Sequence, residues 1–176
     1  MGFFEPDRYF LRLSRINIQA DLLNAGYRYV LLDIDNTILT RDTHEIPHDV
    51  GVWLGQARDA GITFCLVSNN WHDSVYELAQ ELDLPIVAKA IKPLPFAFRR
   101  ALKKISAPKA QTVVIGDQLV TDVFGAHFYG LPAYLLAPLV EQDLPHTLLL
   151  RHLERVIMRG RQPEGASASA QINMQK

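Results

Sequence analysis

The sequence predicts an α/β fold, a three-layer sandwich built on a mostly parallel, five-stranded central sheet. Short apolar runs recur at residues 29–34 (YVLLDI), 62–67 (ITFCLV), 86–88, 111–115 and 133–136. Amphipathic stretches of helical period separate them. Gly and Pro mark most of the junctions. Strands that are apolar throughout are covered on both faces, and the alternation with helices implies crossover connections and parallel pairing. A chain of 176 residues can build one domain with a sizeable core but not two ordinary ones. The expected unit is 1–159, with its centre at about 29–136. Residues 160–176 are rich in Gly, Ser, Ala and Gln and are expected to form a disordered tail.

The elements follow in order. Gly26 precedes the first strand. After Pro47, residues 48–60 form an amphipathic helix that stops at Gly61. The second strand follows at once. Ser74 and Glu77 have capping-box spacing, and Val75, Leu78, Ala79 and Leu82 give the next helix one apolar face. Pro85 ends it, and the short third strand follows. Pro95 suits the first turn of a helix over 95–105. The fourth strand runs into Gly116-Asp117. A helix over 121–129 stops at Gly130 and Pro132, the fifth strand follows, and 146–158 reads as a last helix.

Bulk properties exclude several classes. The net charge of −1 provides no field for nucleic-acid binding. One cysteine, Cys65, rules out an internal disulfide and a Cys-based zinc cluster. There is no apolar run of about 18 residues and no secretory signal pattern. Met1-Gly2 lacks the Ser or Thr that a myristoylation site needs at position 6, where Pro stands. The expectation is a soluble, cytoplasmic protein.

In such sheets, ligands bind beyond the carboxyl ends of the strands. Here those ends carry Asp33-Ile34-Asp35-Asn36-Thr37, then Ser68-Asn69-Asn70, then Lys92, then Gly116-Asp117 with Asp122 five residues on. Asp33 and Asp35 share a face in a strict strand but can diverge at a strand end. Asp33, Asp35 and Asp117 repel one another, which favours a bound cation. Hard oxygen donors of this kind suit Mg²⁺. Lys92 offers a compact positive charge, and Thr37 and Ser68 offer hydroxyl donors. Hydrolysis of phosphate monoesters needs accelerations up to ~10²¹, of which general acid–base help gives only about 10²–10⁴. A held nucleophile and preorganised charge must supply the rest. This set contains both.

Asp33-x-Asp35-x-Thr37, Ser68, Lys92 and Gly116-Asp117-x4-Asp122 resemble the four motifs of the haloacid-dehalogenase (HAD) superfamily, in order. The resemblance implies a Rossmann-like fold, a nucleophilic Asp33 that forms an aspartyl-phosphate, and a general acid/base at Asp35. It also implies Mg²⁺ on Asp33, Asp117 and the Asp35 backbone carbonyl, with Asp122 in support. Thr37, Ser68, Asn69 and Lys92 would hold the phosphate. The Asp-Asn-Thr form, Gly116-Asp117-Gln118-Leu119, and the leader Leu22-Leu23-x-x-Gly26 resemble the YqeG-like branch. That branch is related to phosphatidylglycerophosphate phosphatases, which makes a lipid phosphate the first candidate substrate. Soluble sugar phosphates, nucleotides and phosphoproteins are the alternatives, and a slow HAD-fold binding partner is a further one.

Thr37 to Ser68 holds a loop, a helix and a strand, and Ser68 to Lys92 a helix and a short strand. Neither interval has room for a cap domain, so the crevice is expected to be open, with residues 39–47 as a flap. An oligomer can also cover such a site. Residues 84–116 contain no acid but seven basic residues, and residues 3–15 mix Phe3, Phe4, Tyr9 and Phe10 with Arg8, Arg12 and Arg15. Arg151, Arg155 and Arg159 are spaced along one side of the last helix. Solvated faces explain these patterns, and peripheral contact with an anionic membrane is the sharper reading. His44, His48 and His72 are read as surface residues near the mouth.

Overall fold

The computed structural model describes residues 2–40, 43, 45–139 and 161–164. All five apolar runs form strands: β2 (Tyr29–Leu32), β3 (Thr63–Val67), β4 (Ile86–Val87), β5 (Thr112–Gly116) and β6 (Ala133–Leu136). A sixth, β1 (Arg8–Phe10), precedes them. Every pairing is parallel, in the order β1-β6-β5-β2-β3-β4. The expected five-stranded, mostly parallel sheet is thus six-stranded and wholly parallel. β1 has three residues and gives no apolar run, so periodicity alone does not reveal it.

β1 also explains the aromatic and basic residues near the N-terminus. Phe10 enters the core, and Tyr9 packs against the opposite layer. Arg8 bonds Asp21 and Glu164, and Arg12 pairs with Asp49. Two of the charges in this basic segment, Arg8 and Arg12, therefore have carboxylate partners within the fold. Glu164 lies in the segment expected to be a disordered tail, yet its backbone bonds both Tyr9 and Leu11. The helix expected over 146–158, and the arginines on it, lie outside the described residues.

The helices are α1 (His48–Asp59), α2 (Ser74–Glu81), α3 (Pro95–Lys104) and α4 (Gly125–Tyr129). α4 continues a π-helical turn, Leu119–Phe124, so the helix expected over 121–129 begins earlier and is wider at its start. Pro95 occupies the first turn of α3. The capping box at Ser74 is not formed: Asp73 is the N-cap, and no side chain caps the helix. Ser74 is already inside the first turn, one place too late for that role.

Two apolar layers cover the sheet. Leu22, Val30, Leu32, Trp53, Phe64 and Leu66 lie on the side of α1 and α2. Leu31, Cys65, Phe98, Val114, Val123 and Ala126 lie on the side of α3 and α4. Adjacent strand residues alternate between the layers, as pleating requires. Connections run outward from β2 through β3 to β4. The chain then crosses back to β5 and continues to β6. The order reverses between β2 and β5, and a crevice opens beyond their carboxyl ends.

Cys65 is fully buried in β3, and burial pushes its thiol up to about 12. The thiolate is the reactive form. A disulfide-exchange reagent at pH 8 should therefore not label the folded protein and should label Cys65 fully in denaturant. Rapid labelling of the native state would contradict this packing.

Candidate active site

The strand register brings the first and last motifs together. Leu32 pairs with Ile115, and the Asp33 amide donates to the Ile115 carbonyl at 2.9 Å. Leu31 and Val114 face the α3/α4 layer. By alternation Asp33 and Gly116 turn the same way. Lys92, on the loop before α3, and Asp122, in the π-helical turn, reach them from that side.

Lys92 is the hinge of the site. Its ammonium donates to Asp33 Oδ1 at 2.6 Å and to Asp122 Oδ1 at 2.7 Å, with all three residues buried. Asp122 Oδ2 also accepts the Gln118 amide at 3.1 Å. Asp122 thus fixes both the lysine and its own turn. Gly116 makes room for it, because a Cβ there would lie 2.3 Å from Asp122 Oδ2.

Asn69 makes a contact that the sequence does not indicate. Its carboxamide donates to the Lys92 carbonyl at 3.0 Å and accepts the Lys92 amide at 2.7 Å. The side chain clamps the lysine loop. The partner lies 23 residues away and leaves no local signal. Ser68 is buried, and its Oγ accepts the Asn70 amide at 3.0 Å, which leaves its hydroxyl hydrogen to donate.

A tight turn separates the two carboxylates of the first motif. The Ile34 carbonyl accepts the amides of Thr37, Ile38 and Leu39, and Asn36 adopts φ 60°. Asn tolerates this left-handed conformation better than most residues. The turn buries Asp33 and Thr37 and sends Asp35 elsewhere. Asp35 lines a cavity of about 690 Å³ with Asn70, His72, Asp73, Ser74 and Glu77. His72 is exposed there, as is His48 at the start of α1; His44 lies outside the described residues.

Carboxylate oxygens of Asp33, Asp117 and Asp122 lie within 4.8 Å of one another. Three buried carboxylates face one buried ammonium, so charge is unbalanced where desolvation costs several kcal/mol per ion. Burial pushes the Asp33 carboxyl up to about 7 against the pull of Lys92; Asp122 and Asp35 push the same way as burial. Burial works against the charge on Lys92, but Asp122 and Asp33 outweigh it and raise its pKa, so the ammonium stays protonated. Asp33 Oδ2 and Thr37 Oγ1 are buried without a hydrogen-bond partner. Hard oxygens, excess negative charge and an orphaned carboxylate oxygen fit a magnesium ion. Asp33, Asp117 and Asp122 are the carboxylates that could hold it. The Asp35 carboxylate is outside this group, so only its backbone carbonyl remains as a candidate ligand.

The HAD-hydrolase-like family model matches residues 90–138. Over 156 residues the chain is 32% identical to the "Probable phosphatase YqeG" of Bacillus subtilis strain 168, spanning 89% of this chain and 90% of that one. The chain belongs to the YqeG branch of the HAD-superfamily phosphatases. Solved structures agree on the fold. A protein from Listeria monocytogenes serotype 4b superposes with a TM-score of 0.54 at 18% identity, covering 66% of this phosphatase and 84% of the other chain. The cobalt-bound deoxy-D-mannose-octulosonate 8-phosphate phosphatase of Haemophilus influenzae gives 0.51 at 15% identity, covering 77% and 89%. Among the described residues of the phosphatase, only α1 and β3 stand between Thr37 and Ser68, and only α2 and β4 between Ser68 and Lys92. No cap domain is inserted there.

Gly116→Ala tests the packing of the site. The added methyl must displace the Asp122 carboxylate from Lys92. Urea unfolding should show a loss of about 1–3 kcal/mol, typical of overpacking, and phosphatase turnover should fall at least ~10-fold, a barrier rise of about 1.4 kcal/mol. Wild-type stability and rate together would show that Asp122 does not depend on that space.

Proposed function

We propose that the protein is a magnesium-dependent phosphomonoesterase that attacks phosphate with Asp33. The observation that carries this reading is the state of that side chain. One carboxylate oxygen is held by Lys92, and the other is buried and unpartnered at the switch point of the sheet.

The residues divide the chemistry. The Asp33 carboxylate forms a bond to phosphorus as the ester P–O bond breaks. Lys92 stabilises the charge that develops beside Asp33. Thr37 and Ser68 donate hydroxyls to the phosphoryl oxygens. Asp35 gives its proton to the leaving alcohol, then takes one from the water that releases phosphate from Asp33. A magnesium ion bound by Asp33 and Asp117 would neutralise phosphoryl charge and hold Asp33 ionised. Asn69 and Asp122 position Lys92 and touch no substrate.

The leaving alcohol departs toward Asp35 and its cavity, open to solvent with no inserted cap above it. This suits bulky substrates, and the resemblance to the phosphatidylglycerophosphate phosphatases makes a lipid phosphate the first candidate. No helix among the described residues is long and apolar enough to cross a membrane. A cytoplasmic enzyme working on a single catalytic domain over 1–159 completes the reading.

Asp33→Asn should abolish phosphate release while far-UV circular dichroism stays unchanged. Millimolar Mg²⁺ should raise the melting temperature of the wild type and raise it less in Asp117→Asn. A phosphate-release panel of lipid phosphates, sugar phosphates and nucleotides identifies the substrate class. Wild-type turnover in Asp33→Asn would refute the mechanism. An unchanged thermal response in Asp117→Asn would remove that residue from the metal site.

A further inference from the structure

The loop that points Lys92 inward points other residues out. Ala88, Ala90 and Lys92 are buried, whereas Lys89, Ile91, Leu94 and Phe96 are exposed. Two left-handed residues produce this alternation, Lys89 at φ 50° and Ile91 at φ 60°. The second is unusual, because β-branched residues rarely adopt that conformation. Such strain persists only where neighbouring structure imposes it, and it concentrates at functional loops. Hydrogen bonds impose it here: the Ala90 amide bonds Ser68, the Lys92 amide bonds Asn69, and the Leu94 amide bonds the Ile91 carbonyl.

Trp71 joins the same rim from the neighbouring loop. It is 64% exposed, and the Lys89 ammonium lies 5.3 Å from its ring centroid. The Lys89 amide also bonds the Asn70 carbonyl. Eight large apolar side chains are exposed among the described residues, and four of them lie here: Trp71, Ile91 and Leu94 on the two loops that carry Asn69 and Lys92, and Phe96 in the first turn of α3. Exposed apolar groups concentrated at one edge mark an interaction surface.

Charge selects the partner. Behind the rim, Arg99 and Arg100 are exposed about 6–8 Å along α3, within a Debye length of its start. Lys103 and Lys104 are about one turn further along the helix. The acidic residues Asp73, Glu77 and Glu81 line the cavity on the α2 side instead. One flank of the mouth is apolar and basic, and the other is acidic. A protein interface excludes charge from its centre, but here a lysine sits among the apolar groups against a tryptophan ring. Tryptophan beside a snorkelling lysine suits a lipid headgroup layer.

We infer that the rim formed by Trp71, Lys89, Ile91, Leu94 and Phe96 inserts into the surface of an anionic bilayer and holds the open crevice against it. The α2 flank, with its acidic cavity, stays in water. This docking does not require the phosphatase mechanism, because it is measured without turnover.

The test uses the whole chain and vesicles of phosphatidylcholine alone or mixed with phosphatidylglycerol. Trp53 is buried in the core, so Trp71 is the tryptophan that lipid can reach. With mixed vesicles its emission should shift to the blue and be quenched by lipids brominated on the acyl chains. Trp71→Ser combined with Phe96→Ser should weaken co-sedimentation by about tenfold or more, from the lost apolar burial. Lys89→Ser should weaken it about fivefold on anionic vesicles and leave neutral vesicles unaffected. Hydrolysis of a soluble aryl phosphate without vesicles should be unchanged in Trp71→Ser. Emission that stays fixed at saturating lipid would overturn the inference. So would retention of the wild type by a protein partner in the absence of any vesicle binding.

Discussion

The site depends on one buried ammonium shared by two carboxylates. Lys92 lies between Asp33 and Asp122, and few other groups could hold those carboxylates together away from water. At an effective dielectric of about 20, each contact is worth about 4 kcal/mol at 4 Å, similar in size to the desolvation it must offset. The arrangement therefore adds little stability by itself. Its consequence is geometric. It fixes one oxygen of Asp33 and leaves the other buried without a hydrogen-bond partner. Around it, Asn69 grips the lysine backbone, Gly116 admits the second carboxylate, and Gly125 sits where a Cβ would lie 2.9 Å from the Pro93 backbone.

In the first motif a short turn separates two carboxylates. Asp33 and Asp35 are two residues apart yet occupy different environments. One sits among buried charges, and the other borders a solvent-open cavity. A nucleophile must be ionised, whereas a general acid must exchange protons with a leaving group and with water. The turn around the Ile34 carbonyl, with Asn36 in a left-handed conformation, supplies both settings from five residues. The same logic recurs in the lysine loop, where strained residues send Lys92 inward and its neighbours outward.

Much of this was legible in the sequence. The five apolar runs mark five strands, because central parallel strands are buried on both faces. Asp33, Asp35, Thr37, Ser68, Lys92 and Asp117 fall at their carboxyl ends for the same reason. What the sequence did not show depends on contacts between distant residues. β1 is three residues long, and its pairing with Ala133–Leu136 leaves no local pattern. Only the fold shows Asn69 clamping Lys92, 23 residues away. Asp122 bonds both the Gln118 amide and the Lys92 ammonium, and the second of these contacts joins residues 30 apart. The basic residues near the N-terminus read as a surface patch until Asp21, Asp49 and Glu164 are seen beside them.

The central claim is that phosphate passes through a covalent bond to Asp33. It is tested most directly by quenching the enzyme in acid during steady-state turnover, reducing with borohydride, and mapping the peptides by mass spectrometry. Reduction converts an aspartyl-phosphate to homoserine. The account predicts homoserine at position 33 and none at 35, 117 or 122. Homoserine at another of these positions, or none at any of them when the enzyme is turning over, would contradict it.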